Sequence, residues 1–174
     1  VNAAAAADIQ RVTETVQQVN PQATIVRAAS PITLDQPDRV RGQRVLVIED
    51  GPTTTHGGMP YGAGFVAATQ AHAGAIVDPR PYAVPEIAAI YQQYPHIGSV
   101  LPAMGYSPAQ LQGVQQTINA TPADVVVSGT PSNLAALIKV NKPIIQAHYE
   151  FAEVGTPRLS ELVEAFLTRI GLGS

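Results

Sequence analysis

Apolar residues follow two patterns along this chain, short continuous runs and stripes at helical spacing. The continuous runs predict buried strands, because strands of a parallel sheet that is covered on both faces carry few polar residues. The segment RVLVIE at residues 44–49 is the clearest of these runs. Strands are predicted in this way at residues 23–28, 44–49, 75–78, 124–127 and 143–151. A further short strand at residues 99–101 stays an open alternative.

Amphipathic helices are predicted between these strands, from apolar stripes with a period of 3.6 residues. Three helix starts carry recognisable signals: Asp8 as an N-cap, Pro85 at a first helical position and Ser107 as an N-cap. Asn20-Pro21 ends the first helix, because proline disfavours helical geometry at the residue before it. The predicted helices cover residues 8–19, 63–73, 84–94, 107–119, 132–140 and 156–170.

This alternation predicts an α/β fold, with a mostly parallel sheet of about five strands and helices on both faces. Such a Rossmann-like fold places the loops that follow its strands along one edge, where open α/β sheets bind their ligands. Two long segments without periodic apolar residues, 30–42 and 50–64, are predicted as loops. The second follows the most apolar strand and is therefore the strongest candidate for a binding loop.

The segment EDGPTTTHGGMPYGAG at residues 49–64 combines glycines, threonine hydroxyls, a histidine and a carboxylate pair. Glycines let a backbone turn its N–H groups toward a phosphate, and a helix that begins near residue 63 would direct its N-terminus to the same place. Asp50 is the candidate ligand for a metal ion such as Mg²⁺, and His56 is a candidate catalytic residue. The candidate phosphate-binding or nucleotide-binding residues are Thr54, Thr55, Gly57, Gly58, Gly62 and Gly64. The alternative is a loop that only covers the sheet edge.

Three other segments carry candidate residues, two of them after predicted strands and one after the helix predicted at residues 84–94. Arg80 lies between two prolines, where it suits a bidentate contact with phosphate or carboxylate, or else pairs with Asp78 to shape the turn. His96, among apolar neighbours, is a candidate catalytic residue or a hydrogen-bonded core histidine. The turn after the strand at residues 124–127 is an anion site by geometry, or a plain helix cap. Its candidate binding residues are Ser128, Gly129 and Thr130.

Composition excludes several classes of function. The 174 residues are 45% apolar, which suffices for a sizeable core, and only 13% charged. A net charge of −3 without a basic cluster argues against nucleic acid as a partner, since neutralising phosphates requires Lys and Arg. No apolar run is long enough to span a membrane. The chain has no cysteine and hence no disulfide framework, so we expect a cytoplasmic protein.

The charge deficit is concentrated in residues 81–138, where only Glu86 and Asp124 are charged. A solvated surface of that length normally carries more charges. We therefore expect this stretch to face another domain or a second subunit, and the chain to form a homo-oligomer, most simply a dimer.

Four strings of the sequence resemble a known family. EDGPTTTHGGMPYGAG, VDPRPYAV, YPHIGSVLPAMGYS and VVVSGTPSNL resemble the carboxyl-terminal part of predicted P-loop GTPases that are similar to cyclic 2,3-diphosphoglycerate synthetase. The resemblance extends from about residue 19 to about residue 153. Full-length members also carry a Rossmann-like amino-terminal domain and a P-loop. We therefore expect this chain to be a fragment of a larger protein.

The resemblance has consequences for domains and function. It implies that residues 1–43 are the tail end of a P-loop type nucleotide-binding domain and that residues 44–174 form a carboxyl-terminal Rossmann-like domain. It implies a phosphoryl-transfer enzyme or GTPase that uses ATP or GTP with Mg²⁺ and binds a phosphorylated small molecule. Two other functions stay open, a non-catalytic module that binds a nucleotide or phosphorylated metabolite, and an oligomerisation domain.

Overall fold

The chain forms two compact units in a computed structural model that describes residues 4–104 and 107–172. The central unit is Ile32–His148, and the terminal unit combines Val1–Pro31 with Tyr149–Ser174. Every residue predicted to bind a ligand or to catalyse a reaction lies in the central unit. The domain boundary predicted after residue 43 stays a prediction.

Helices and strands alternate through most of the chain. The helices are α1 (Ala6–Val19), α2 (Gly51–Thr55), α3 (Ala63–Gln70), α4 (Pro85–Gln93), α5 (Pro108–Ala120), α6 (Leu134–Leu137) and α7 (Leu159–Arg169). The strands are β1 (Ala28–Ala29), β2 (Ile32–Leu34), β3 (Arg44–Asp50), β4 (Ala75–Ile76), β5 (Leu101–Ala103), β6 (Val125–Ser128), β7 (Ile144–Tyr149) and β8 (Ala152–Glu153).

A six-stranded sheet runs through the central unit in the order β2-β7-β6-β3-β4, with β5 also paired to β3. β3 is parallel to β4, β5 and β6, and β6 is parallel to β7. β4 pairs with the start of β3 and β5 with its end. The predicted fold class, an α/β fold with a mostly parallel sheet flanked by helices, is confirmed. In the terminal unit, β1 and β8 form a separate antiparallel pair.

The core of the central unit is built around β3 and β6. Residues 45–48 of β3 and the whole of β6 are buried, as their nearly continuous apolar runs predict. Residues 81–138 contribute much of the remaining core, including Leu101, Val114 and Ile118. Burial within the unit therefore accounts for part of the low charge of that stretch, and the predicted subunit interface stays a prediction.

The structure differs from the predicted strands mainly near the amino terminus. The predicted strand at residues 23–28 is reduced to the two residues of β1, and β2 lies inside the segment predicted as a loop, residues 30–42. A strand of three residues is too short to show an alternating pattern, so β2 is defined by its pairing with β7 rather than by its sequence. The optional strand at residues 99–101 is present as β5, displaced by two residues.

Helix starts show one correction and two confirmations, of which the first is Pro85, the opening residue of α4. α1 begins at Ala6, with Ala5 and not Asp8 at the N-cap, because alanine favours helix strongly enough to extend the first turn. Ser107 caps α5 as predicted, in a capping box with Gln110.

The predicted loop at residues 50–64 contains the short helix α2. Among the described residues no helix is long and apolar enough to cross a membrane.

Candidate functional site

Most of the predicted site residues meet at the carboxyl edge of the sheet, which we define as the ends of β3, β5 and β6 with the loops that follow them. The strand register aligns these ends, with Asp50 beside Ala103 and Ile48 beside Ser128. The predicted residues that the structure gathers there are Asp50, Thr54, Thr55, His56, Gly57, Gly58, Gly62, Gly64, His96, Ser128, Gly129 and Thr130.

Asp50 is a carboxylate of this edge that has no basic partner among the described residues. It ends β3, is half-buried and stands at the N-cap of α2 without a side-chain capping hydrogen bond. Among residues 4–104 and 107–172, its carboxylate takes part in no ion pair, whereas each of the other aspartates has a basic partner. Those pairs are Asp8–Arg11, Asp35–His148, Asp38–Arg41, Asp78–Arg80 and Asp124–Arg44.

Ser128 lies on the same face of the sheet as Asp50. Ser128 is beside Ile48 in the register, and side chains two residues apart on a strand share a face, so Ile48, Asp50 and Ser128 point to one side. The Ser128 hydroxyl is fully buried and has no hydrogen-bond partner within the described structure. A buried hydroxyl without a partner is uncommon in proteins.

The hydroxyls of Thr54 and Thr55 point into α2. Both donate hydrogen bonds to the carbonyl oxygen of Gly51, at 3.0 Å from Thr54 and 2.8 Å from Thr55. Nδ1 of the exposed His56 lies 2.9 Å from the Thr55 hydroxyl. The two threonines therefore stabilise the short helix that follows Asp50, and His56 is the exposed member of this group.

His96 stabilises α2 through a hydrogen bond to its backbone. Its Nε2 atom lies 2.7 Å from the carbonyl oxygen of Thr54, so Nε2 carries a proton and donates it to that bond. Helix α2 packs closely against β5, as Gly51 shows: a Cβ atom at this position would lie 2.5 Å from the carbonyl oxygen of Ala103. The structure thus joins His96 to α2, which was predicted from sequence only as a loop.

Glu49, which sequence reasoning did not select, is the most enclosed charged residue of the edge. It is 1% exposed, and its carboxylate accepts hydrogen bonds from the backbone N–H of Phe65 at 2.7 Å and of Gly64 at 3.2 Å. The carboxylate therefore occupies the N-terminus of α3, where we predicted that a phosphate would bind. A polar residue one place before the end of an apolar strand is the signal that identifies it.

Two glycines, Gly62 and Gly129, make room for the Glu49 carboxylate. A Cβ atom on Gly62 would lie 2.7 Å from Oε2, and one on Gly129 would collide with the same oxygen and with the backbone nitrogen of Gly64. Burial raises the pKa of Glu49, and hydrogen bonds from the backbone of Phe65, Gly64 and Gly62 partly offset that rise. The predicted phosphate-binding glycines at positions 62, 64 and 129 therefore surround a carboxylate of the protein itself.

Other backbone N–H groups of the predicted phosphate-binding residues also donate hydrogen bonds within the protein. The N–H of Gly57 donates to the carbonyl oxygen of Pro52 at 3.1 Å, and that of Gly129 donates to Ile48 at 2.7 Å. Gly58 is exposed with a φ of +64°, a conformation that favours glycine. The loop that contains Gly57 and Gly58 is thus the exposed part of the edge.

The turn after β6 is held by Gln146 of β7. Its side-chain nitrogen lies 2.7 Å from the carbonyl oxygen of Thr130 and 3.1 Å from that of Ser128. Thr130 is buried, and its hydroxyl accepts a hydrogen bond from the backbone N–H of Ser132. Sequence reasoning missed Gln146, although it is a polar residue inside the apolar strand IIQAHY.

Arg80 is paired with Asp78 in the segment that follows β4. It follows β4, which pairs with the start of β3 and not with its end. Its guanidinium makes a bidentate pair with Asp78, with Nε and Nη2 at 2.9 Å and 2.6 Å from Oδ2. This pair lowers the pKa of Asp78 and raises that of Arg80. The turn-shaping alternative for Arg80 is therefore the arrangement observed.

Two hollows in the central unit differ in size and position. The one at the carboxyl edge, between Ala103, Met104, Thr130 and Leu134, holds about 10 Å³, the room of one water. The other holds about 260 Å³ and lies between β2 and α3, where no predicted site residue lines it. A ligand at the carboxyl edge would therefore bind an open surface rather than fill a closed pocket.

No group of three or more His, Asp or Glu side chains is arranged to hold a metal ion in the part of the chain that the structure describes. A cation at Asp50 would thus take its remaining ligands from water and from a bound molecule. This coordination suits Mg²⁺, which keeps several waters and often binds one or two carboxylates together with phosphate oxygens.

The chain is similar to a protein named arginine synthetase ArcE from Thermococcus kodakarensis. The two are 52% identical over 157 residues, which make up 90% of this chain and 35% of the relative. The chain therefore spans about a third of the length of the relative that it matches. No protein-family model matches the chain, and no solved structure matches it. Identity at this level over most of the chain indicates a relationship to a synthetase.

Proposed function

We propose that this chain is part of a nucleotide-dependent synthetase and that Asp50 binds the divalent cation that accompanies the nucleotide. The observation that carries the proposal is the Asp50 carboxylate, half-buried at the end of the central strand and without a basic partner among the described residues. A carboxylate in that setting is stabilised by a cation.

The donor set at Asp50 fits Mg²⁺. Asp50 supplies a carboxylate, and Mg²⁺ commonly binds one or two carboxylates together with waters and phosphate oxygens. When bound, Mg²⁺ would neutralise charge on the phosphates of ATP or GTP. Asp50 would hold the cation at the sheet edge, and α2 would keep Asp50 in place.

The remaining predicted residues have different proposed roles. His56, Gly57 and Gly58 lie on the exposed loop and would contact the phosphates or the second substrate. Thr54, Thr55 and His96 would act by stabilising α2, through the hydrogen bonds on Gly51 and Thr54 described above. Arg80 would neutralise ligand charge only after exchanging Asp78 for the ligand.

The relative and the family resemblance suggest different products for one class of reaction. The name of the relative points to arginine, and the resemblance points to a cyclic phosphoanhydride of 2,3-diphosphoglycerate. Both fit a reaction in which ATP or GTP supplies a phosphoryl group to activate a small molecule. We propose arginine as the product, because the relative is 52% identical over 90% of the chain. A GTPase without a synthetic product is the alternative.

Isothermal titration of the chain with ATP or GTP, in the presence and absence of Mg²⁺, tests the proposal. We expect binding that requires Mg²⁺ and that weakens by about tenfold or more in Asp50→Asn, because a charged ligand of the cation is lost. Asp38→Asn is the matched control, since Asp38 is an exposed aspartate of the same unit. Equal affinities in Asp50→Asn and in the unmodified chain would contradict the role of Asp50.

A second titration separates the two products. With Mg²⁺ and the nucleotide present, L-arginine and 2,3-diphosphoglycerate are added in turn. Binding of L-arginine but not 2,3-diphosphoglycerate is the expected result. Binding of 2,3-diphosphoglycerate alone would assign the chain to the cyclic phosphoanhydride reaction and overturn the proposed product.

A further inference from the structure

Glu49 is a buried carboxylate that the proposed cation site does not use. It neighbours Asp50 along β3, so the two side chains project to opposite faces of the sheet. Asp50 faces the side of Ser128, whereas Glu49 faces Gly64 and Gly129. Among the described residues, no basic side chain pairs with Glu49. An enclosed carboxylate without a basic partner is costly to keep and calls for a function.

The donors around Glu49 are backbone N–H groups. Oε1 accepts the N–H of Phe65 at 2.7 Å, and Oε2 accepts the N–H of Gly64 at 3.2 Å. These two residues open α3, so the carboxylate also interacts favourably with the positive end of the helix. Stacking of Tyr61 on Phe65, with ring centroids 4.4 Å apart, ties the preceding loop to the same turn.

Glycines bring two separate loops to this one carboxylate. Gly62 ends the loop before α3, Gly64 lies in the first turn of α3, and Gly129 comes from the turn after β6. Side chains at Gly62 or Gly129 would meet the Glu49 carboxylate, and one at Gly64 would come within 3.0 Å of the Gly129 backbone nitrogen. Glu49 therefore contacts both the loop that carries His56 to Gly58 and the turn that carries Ser128.

We infer that the Glu49 carboxylate is the anion bound by the backbone N–H groups of Gly64 and Phe65, which we call the backbone cradle. Glu49 is also a positioning residue, because it holds both loops in place around the Asp50 cation site. The inference that it serves the cation site rests on the proposed function. Because Glu49 fills the N-terminus of α3, a phosphate group of the ligand is directed to the opposite face of the sheet, toward Asp50. Glu49 itself does not contact the ligand.

Hydrogen exchange tests the cradle without any ligand. Glu49→Gln keeps the shape of the side chain but removes its charge and one acceptor. We expect the amide protons of Gly64 and Phe65 to exchange about tenfold faster or more in this variant, because hydrogen bonds to a charged acceptor are the stronger ones. Amides in the core strand β6 should keep their rates. Unchanged exchange at Gly64 and Phe65 would overturn the cradle.

Chemical rescue tests whether a carboxylate anion is the group that protects the Gly64 and Phe65 amides from exchange. Glu49→Ala leaves a space beside the same N–H groups, and formate is small enough to enter it. Formate should slow exchange at Gly64 and Phe65, whereas chloride at the same ionic strength should not. Equal effects of formate and chloride would overturn the assignment of a resident carboxylate. If Glu49→Ala does not fold, the exchange result of Glu49→Gln decides the question.

The positioning role is read from nucleotide affinity. We expect Glu49→Gln to weaken the binding of Mg²⁺ with ATP by about fivefold, and formate to restore affinity in Glu49→Ala, since pre-organised loops bind at lower cost. Normal affinity with fast exchange would overturn the positioning role and leave the cradle intact. If the unmodified chain does not bind Mg²⁺ with ATP, the proposed function fails, and the exchange and formate experiments still test the resident carboxylate.

Discussion

Both units of this chain carry patterns of apolar residues, but the two units bury those residues to different extents. In the central unit, apolar runs such as residues 45–48 are fully buried between layers of helices. In the terminal unit, no described residue is buried, although α7 carries an apolar stripe. Leu159, Val163, Phe166 and Ile170 on that stripe are 45–49% exposed. An apolar stripe thus predicts a helix, but its burial depends on a partner surface.

The largest expected effect is the loss of a core leucine from the central unit. Leu46 is 0% exposed, so Leu46→Ala should lower the free energy of unfolding by about 2–5 kcal/mol. Leu159→Ala in the terminal unit is the matched control and should change it by less than about 0.5 kcal/mol, because Leu159 is 45% exposed. Denaturant unfolding measures both. Similar losses in the two variants would break the contrast between the units.

The next effect concerns the close packing beneath the candidate site. Gly129→Ala places a methyl group against Glu49 and the backbone of Gly64, which should cost about 1–3 kcal/mol of stability. Gly113→Ala in α5 is the control, since its new Cβ atom meets only the side chains of Val84, at 3.3 Å, and Ile87. Thermal unfolding compares them. A Gly129 variant as stable as the Gly113 variant would show that the packing around Glu49 is loose.

The smallest effect lies at the opposite edge of the sheet, where Asp124 accepts hydrogen bonds from the side chain and the backbone N–H of Arg44. These bonds lower the pKa of Asp124 from 3.8 to about 2. A lowered pKa in the folded state gives stability that is present above the ordinary pKa and is lost as the pH falls through about 2.

Asp124→Asn should therefore lower the melting temperature by about 2 °C at neutral pH, because the pair is solvent-exposed and weak. The difference from the unmodified chain should shrink as the pH falls from about 4 toward 2. Melting curves across this pH range measure it. A difference that is constant between neutral pH and pH 2 would contradict the assigned pKa.

Much of the central unit could be predicted from sequence, because its local signals agree with its packing. β3 and β6 follow continuous apolar runs, and Ser107 caps α5 where its sequence places the cap. Elements defined by distant partners could not be predicted. β2 exists through its pairing with β7, and α2 lies in a segment whose glycines and threonines indicate a loop.

The candidate site was predictable in its location but not in its internal contacts. Glycines and threonines after β3 indicate a polar strand end, and in the structure they follow β3 in α2 and the loop before α3. Sequence does not show which group occupies the backbone donors, since a phosphate and the Glu49 carboxylate satisfy the same N–H groups. Arg80 illustrates the same limit. Its sequence position allows a contact with a ligand anion or with Asp78, two residues away, and the structure shows the pair with Asp78.

Exchanging the metal preference of Asp50 tests the central claim most directly. Asp50→Cys replaces an oxygen ligand by a soft thiolate, which favours Cd²⁺ over Mg²⁺. We expect this variant to lose affinity for ATP with Mg²⁺ and to bind ATP with Cd²⁺ about tenfold more tightly than Asp50→Asn does. Equal affinity of the two variants for ATP with Cd²⁺ would show that residue 50 does not bind the cation.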